Sequence, residues 1–124
     1  MKKVLIVDDS QFTRLNLSNF LKQNDYEIFE AENGVAGLEA VQKHNPDCII
    51  SDLLMPEMDG YAFLENLNKQ NIKIPVVILT ADIQATTKTK ILQAGAVGII
   101  NKPPKYPDLL NLIDSSIKNA GNPK

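Results

Sequence analysis

The chain is expected to fold as an α/β protein, with a parallel five-stranded sheet between two layers of helices. Apolar runs alternate with segments of helical period five times along 124 residues. Such alternation means right-handed crossovers and helices on both faces of a mostly parallel sheet. The first, third and fourth runs are apolar at successive positions, as strands covered on both sides are. The second, Tyr26-Glu27-Ile28-Phe29-Glu30-Ala31, carries two glutamates and suits a sheet edge.

The strands are expected at Lys3 to Val7, Tyr26 to Ala31, Asp47 to Asp52, Pro75 to Thr80 and Val97 to Asn101. The helices are expected at Gln11 to Gln23, Val35 to His44, Gly60 to Lys69, Ala85 to Ala94 and Tyr106 to Lys118. Ser10 can cap the first helix. Leu17, Phe20 and Leu21 recur at helical spacing and should face the sheet. Gly34 belongs to the turn entering the second helix. Gly95 reads as a left-handed stop after the fourth. Pro46 and Pro75 stand at strand entrances, where a missing N–H does little harm. Capping is the default role for Ala85, Thr86 and Thr87. Residues 1–120 should form one domain, with a frayed tail at 121–124.

Composition narrows the function. Lys plus Arg is 13 and Asp plus Glu is 15, a net charge of −2. The sequence has no basic stripe, which disfavours direct binding to nucleic acid or a membrane surface. Met1-Lys2-Lys3 precedes only four apolar residues, too short a run for a signal core or a membrane span. Cys48 is the single cysteine and sits in an apolar run, so a buried thiol is expected. The expectation is a cytoplasmic protein. His44 ends a helix, where its charge suits the dipole, and has no neighbouring metal ligand. Met55 and Met58 should pack against their loop.

The chemistry lies at the strand ends. Asp8 and Asp9 follow the first strand, Asp52 and Thr80 close the third and fourth, and Lys102 follows the fifth. Open α/β sheets bind ligands beyond these carboxyl ends. Alone, each residue has an ordinary explanation: a turn aspartate, a strand terminus, a surface lysine. Together they describe a pit. Clustered carboxylates repel and raise one another's pKa unless a cation joins them. Mg²⁺ suits such a set, because it takes one or two carboxylates with phosphate and water. Asp52 beside a cation is a plausible nucleophile towards phosphorus. Thr80 could donate to a phosphoryl oxygen, and Lys102 could neutralise one. The Lys102-Pro103 bond is a candidate for cis geometry. The loop from Leu53 to Asp59, with Pro56 and Asp59-Gly60, is longer than most strand-to-helix loops.

Asp8-Asp9, Asp52 with Met55-Pro56 and Asp59-Gly60, Thr80-Ala81 and Lys102-Pro103 resemble the receiver domain of bacterial two-component response regulators. The likeness runs from about Lys2 to Lys118. It implies a flavodoxin-like (βα)5 sandwich with strand order 2-1-3-4-5. It implies that Asp52 is the phosphoacceptor and that Asp8, Asp9, Asp52 and the backbone carbonyl of Leu54 hold Mg²⁺. By the same resemblance, Thr80 and Lys102 contact the phosphoryl group. The donor is a phosphohistidine on a sensor kinase or phosphotransfer protein. A downstream partner reads the face of helix four, strand five and helix five. The chain catalyses only its own phosphorylation and dephosphorylation.

Family members usually carry Tyr, Phe or His where this chain has Ile99, and often Phe where it has Pro104. An aliphatic Ile99 weakens the expected link between Thr80 and the output face. Leu54 and Asp82 stand where the family tunes phosphoryl lifetime. The leading expectation is a stand-alone, CheY-like switch, monomeric until modified, with dimerisation of the active form left open. The alternative is a receiver-fold scaffold indifferent to phosphate. A flavodoxin is disfavoured by the acidic loop Asp8-Asp9-Ser10, where a flavin phosphate needs backbone donors. A haloacid-dehalogenase-type phosphatase would need Asp at position 10, which is Ser.

Overall fold

Five parallel strands form one sheet in the order β2-β1-β3-β4-β5. The computed structural model describes residues 1–81 and 84–120. Along the chain run β1 (Lys2–Val7), α1 (Gln11–Gln23), β2 (Tyr26–Ala31), α2 (Gly34–His44), β3 (Cys48–Asp52), α3 (Gly60–Lys69), β4 (Val76–Thr80), α4 (Ala85–Gln93), β5 (Gly98–Asn101) and α5 (Tyr106–Ala120). The anticipated order is therefore the observed one, and the glutamate-bearing β2 is an edge. Element ends differ from expectation by one or two residues. Asp47 falls outside β3, yet it is tied to β1: its carboxylate accepts from the Lys3 N–H and its own N–H donates to the Lys3 carbonyl, both at 2.8 Å. Pro75 falls outside β4, yet its carbonyl still accepts from the Ile49 N–H at 2.9 Å.

β3 and β4 are buried end to end and β1 from Val4 onward, which explains their apolar runs. Val4 to Val7, Cys48 to Asp52 and Val76 to Thr80 are all nearly inaccessible. One face packs Leu5, Val7, Ile49 and Ile78 against Val41, Phe63, Leu64, Leu67 and Ile91 of α2, α3 and α4. The other packs Val4, Ile6, Ile50, Val77 and Leu79 against Leu17 and Leu21 of α1 and Leu109 and Ile113 of α5. Phe20 stays at the rim of this second layer, its ring centroid 4.6 Å from that of Tyr106.

The helix signals act through identifiable bonds. Ser10 Oγ accepts from the Thr13 N–H at 3.2 Å, Asn33 Oδ1 from Ala36 at 2.8 Å and Asp59 Oδ1 from Ala62 at 2.9 Å. Each satisfies a backbone donor that the first helical turn leaves free. Gly34 is the first residue of α2 rather than part of its turn. Gly95 takes φ of 109°, the positive region a left-handed stop requires. The cluster 85–87 lies inside the first turn of α4; the cap is Gln84, whose side chain makes no capping bond. Ile91 is the only residue of α4 that is fully buried. The ring of His44 stacks on Phe29 with centroids 3.8 Å apart, an edge-packing role rather than a ligand role. Positions Asp82 and 121–124, both singled out in the sequence, lie outside the described residues.

Candidate functional site

Parallel register brings the strand ends to one level. Val7 pairs with both Ala31 and Ser51, Asp52 with Leu79, and Thr80 with Asn101. Side chains just past those pairs meet over the carboxyl edge. Asp8, Asp9 and Asp52 each offer an oxygen, all within 4.8 Å of one another. Asp8 and Asp52 are 1% and 8% exposed, whereas Asp9 faces solvent.

Several bonds fix the two buried carboxylates. The Asp8 N–H donates to the Ala31 carbonyl at 3.1 Å, and Asp8 Oδ1 accepts from the Ser10 N–H at 2.8 Å. Asp52 Oδ1 accepts from the Leu53 N–H at 2.8 Å. The remaining oxygens face Lys102, whose Nζ lies 3.1 Å from Asp8 Oδ2 and 3.2 Å from Asp52 Oδ2. The peptide between Lys102 and Pro103 is cis. The Lys102 N–H also donates to the Thr80 carbonyl at 2.8 Å, one rung beyond the end of the β4–β5 pairing.

The loop after β3 is held close to its strand. The Gly60 N–H donates to the Leu53 carbonyl at 2.8 Å. A Cβ on Gly60 would stand 2.9 Å from the Asp52 carbonyl oxygen, so only glycine permits this approach. Met58 closes the other side against Gly34, and Met55 also packs on the core. The Leu54 side chain, in contrast, is 71% exposed.

Electrostatics follow from burial and crowding. Burial first, then the Asp8 charge, raises the Asp52 carboxyl above the ordinary aspartate range, against the pull of Lys102 and the Leu53 N–H. Burial tends to lower the Lys102 ammonium, but the carboxylates of Asp52 and Asp8 outweigh it and hold the group above its usual value. Three hard oxygen donors with one ammonium wedged between two of them form a site that fits a hard divalent cation. Thr80, 1% exposed, closes β4 beside this pit. Ile99 is farther back on β5, paired with Ile78 and packed on the α2–α4 side of the core.

The model of the response regulator receiver domain matches residues 4–114. This chain belongs to that family. The receiver domain is 33% identical over 116 residues to the chemotaxis protein CheY of Bacillus subtilis, covering 93% of this chain and 97% of that one. It is 43% identical over 103 residues to histidine kinase P4 of Formosa agariphila, covering 81% of this chain but 7% of that much longer protein. Among solved structures it superposes on a Francisella response regulator receiver domain with a TM-score of 0.92 at 29% identity, covering 97% and 99% of the two chains. Receiver domains are signalling proteins rather than classical enzymes. Among the described residues no helix is long and apolar enough to cross a membrane.

One residue at the site escaped the sequence reading. Arg14, on α1, donates from Nη1 to the Asp8 backbone carbonyl at 2.6 Å and from Nε to Glu30 Oε1 at 3.1 Å. A signal existed: it is the single arginine among 13 basic residues.

Proposed function

We propose that residues 1–120 act as a cytoplasmic phosphorylation switch in two-component signalling, with Asp52 as phosphoacceptor. The observation that carries this reading is the ammonium of Lys102 lodged between the buried carboxylates of Asp8 and Asp52, with Asp9 alongside. Asp8, Asp9, Asp52 and the carbonyl of Leu54 are the proposed holders of Mg²⁺. When bound, that ion supplies positive charge against the carboxylates and the incoming phosphoryl oxygens.

The chain's own groups do the rest. A carboxylate oxygen of Asp52 attacks phosphorus of a phosphohistidine in line. The new O–P bond forms as the P–N bond breaks, and the imidazole leaves with the electron pair and takes a proton. Lys102 turns from its carboxylates to the phosphoryl oxygens. Thr80 donates its hydroxyl to another. The modification brings roughly −1.5 to −2 charges to the strand ends. Thr80 draws the segment after β4 with it, and α4, held by one fully buried residue, is the least anchored helix along that path. The face of α4, β5 and α5 then shifts between pre-existing populations, and a downstream protein reads it. The likeness to CheY favours a partner in chemotaxis. The unmodified chain is read as a monomer, and sedimentation of the modified form tests pairing through the same face.

Mass spectrometry after incubation with a small acyl phosphate and Mg²⁺ tests the reading. One phosphoryl adduct is expected, absent in Asp52→Asn. An adduct that survives the substitution refutes the assignment.

Ile99 supports one other reading, a scaffold whose partners ignore phosphate. Its aliphatic side chain packs on the core and has no polar tip to swing. Partner affinity with and without beryllofluoride separates the two. Equal affinities favour the scaffold.

A further inference from the structure

Asp8 is restrained at its N–H and at both carboxylate oxygens. Among the described residues nothing bonds to the carboxylate of Asp9, which is exposed. The aim of Asp9 therefore depends on its backbone. The Asp8 carbonyl and the Asp9 N–H share one rigid peptide plane. Arg14 grips that plane by its oxygen, at 2.6 Å. Glu30 steadies the guanidinium from the edge strand, 3.1 Å from Nε. The Arg14 side chain is 15% exposed and that of Glu30 41% exposed, so this clamp is anchored on its inner side.

We propose that Arg14 is a positioning residue that orients the Asp8–Asp9 peptide for cation binding, with Glu30 as its brace. The inference rests on the Mg²⁺ site proposed above. A planar guanidinium can serve the carbonyl and the carboxylate from two nitrogens of fixed geometry. A lysine ammonium is a single mobile point and cannot reproduce the fork. That accounts for an arginine here in a chain whose other 12 basic residues are lysines. It also gives Glu30 a role beyond marking a sheet edge.

Calorimetric titration of Mg²⁺ into the unmodified chain tests the clamp. Arg14→Met is expected to weaken uptake about tenfold, the usual loss when an outer partner of a metal ligand is removed. Arg14→Lys should recover little of it. Glu30→Gln should cost about threefold, as befits a half-exposed ion pair. At saturating Mg²⁺ the phosphorylation rate of each variant should return to within about twofold of wild type, because placement rather than the chemical step is affected. Wild-type affinity in a folded Arg14→Met chain overturns the inference, as does a rate deficit that saturating Mg²⁺ leaves in place. Should Arg14→Met fail to fold, Glu30→Gln decides, and unchanged affinity there overturns it. A wild-type chain that takes up no Mg²⁺ sinks the functional reading and this inference together. Uptake by the wild type with equal uptake by the variants sinks the inference alone.

Discussion

Replacing Lys102 by Met removes the only cation in contact with the two buried carboxylates among the described residues. Its Nζ makes contacts of 3.1 and 3.2 Å. At an effective dielectric of about 20, each is worth about 5 kcal/mol before desolvation is subtracted. Most of that gain is offset by taking the charges out of water. Deleting one partner is different, because it strands the other charges, at a cost of about 3–5 kcal/mol for a buried pair. The Lys102 side chain is 24% exposed, so water relieves part of the loss. About 3 kcal/mol is expected at pH 7 without divalent ions, or about 12 °C in Tm for a domain of this size. Two treatments should restore stability. Added Mg²⁺ should raise the Tm of Lys102→Met more than that of wild type, since the variant has no ammonium to displace. Acid should close the gap as well. Asp52 already has a raised pKa, so its protonated form is the one the fold prefers. Its contribution to stability is present below the unfolded aspartate value and lost as pH rises through the folded one. The penalty in Lys102→Met is therefore full at pH 7 and shrinks as Asp52 takes its proton. Melting followed by circular dichroism at pH 7 and pH 4, with and without Mg²⁺, reads all of this. A variant melting within a degree of wild type at pH 7 in chelator refutes the reasoning, as does one that Mg²⁺ fails to rescue.

Other outcomes follow from the same geometry. Carbon NMR of the metal-free chain should place the titration midpoint of Asp52 above the ordinary aspartate value of about 3.9, moving down as Mg²⁺ is added. A metal-free midpoint at or below that value contradicts the burial argument. Gly60→Ala sets a Cβ 2.9 Å from the Asp52 carbonyl oxygen and 3.0 Å from Leu53 Cα. Both are backbone atoms, so denaturant unfolding should register a loss of about 2–3 kcal/mol. Burial pushes the Cys48 thiol up to about 12, so iodoacetamide at pH 8 should modify it only after unfolding in guanidinium. Stoichiometric labelling of the native chain would show the strand to be more open than described.

Most of the fold was legible because β3 and β4 lie inside for their whole length and β1 from Val4 onward. Val4-Leu5-Ile6-Val7 and Val76-Val77-Ile78-Leu79 leave no alternative face to solvent, and their reading is correspondingly simple. The convergence of Asp8, Asp9 and Asp52 was legible for a related reason: parallel strands of known order place their ends together. What escaped depends on side-chain reach. Arg14 looks like any polar helix residue until its contact with the Asp8 carbonyl is known. Phe20 sits at helical spacing with Leu17 and Leu21, yet it is only partly buried and meets Tyr106, the first residue of α5. The carboxylate of Asp47 holds the Lys3 N–H across the sheet. Periodicity carries no record of such a bond.

The rung from the Lys102 N–H to the Thr80 carbonyl couples two segments that the chain separates by a whole helix. It ties the roots of both side chains that flank the acidic pit on the β4–β5 side. Neither main chain can be displaced there without pulling on the other. A tug on the threonine main chain is thus passed to the outermost strand through this amide as well as through the paired rungs behind it.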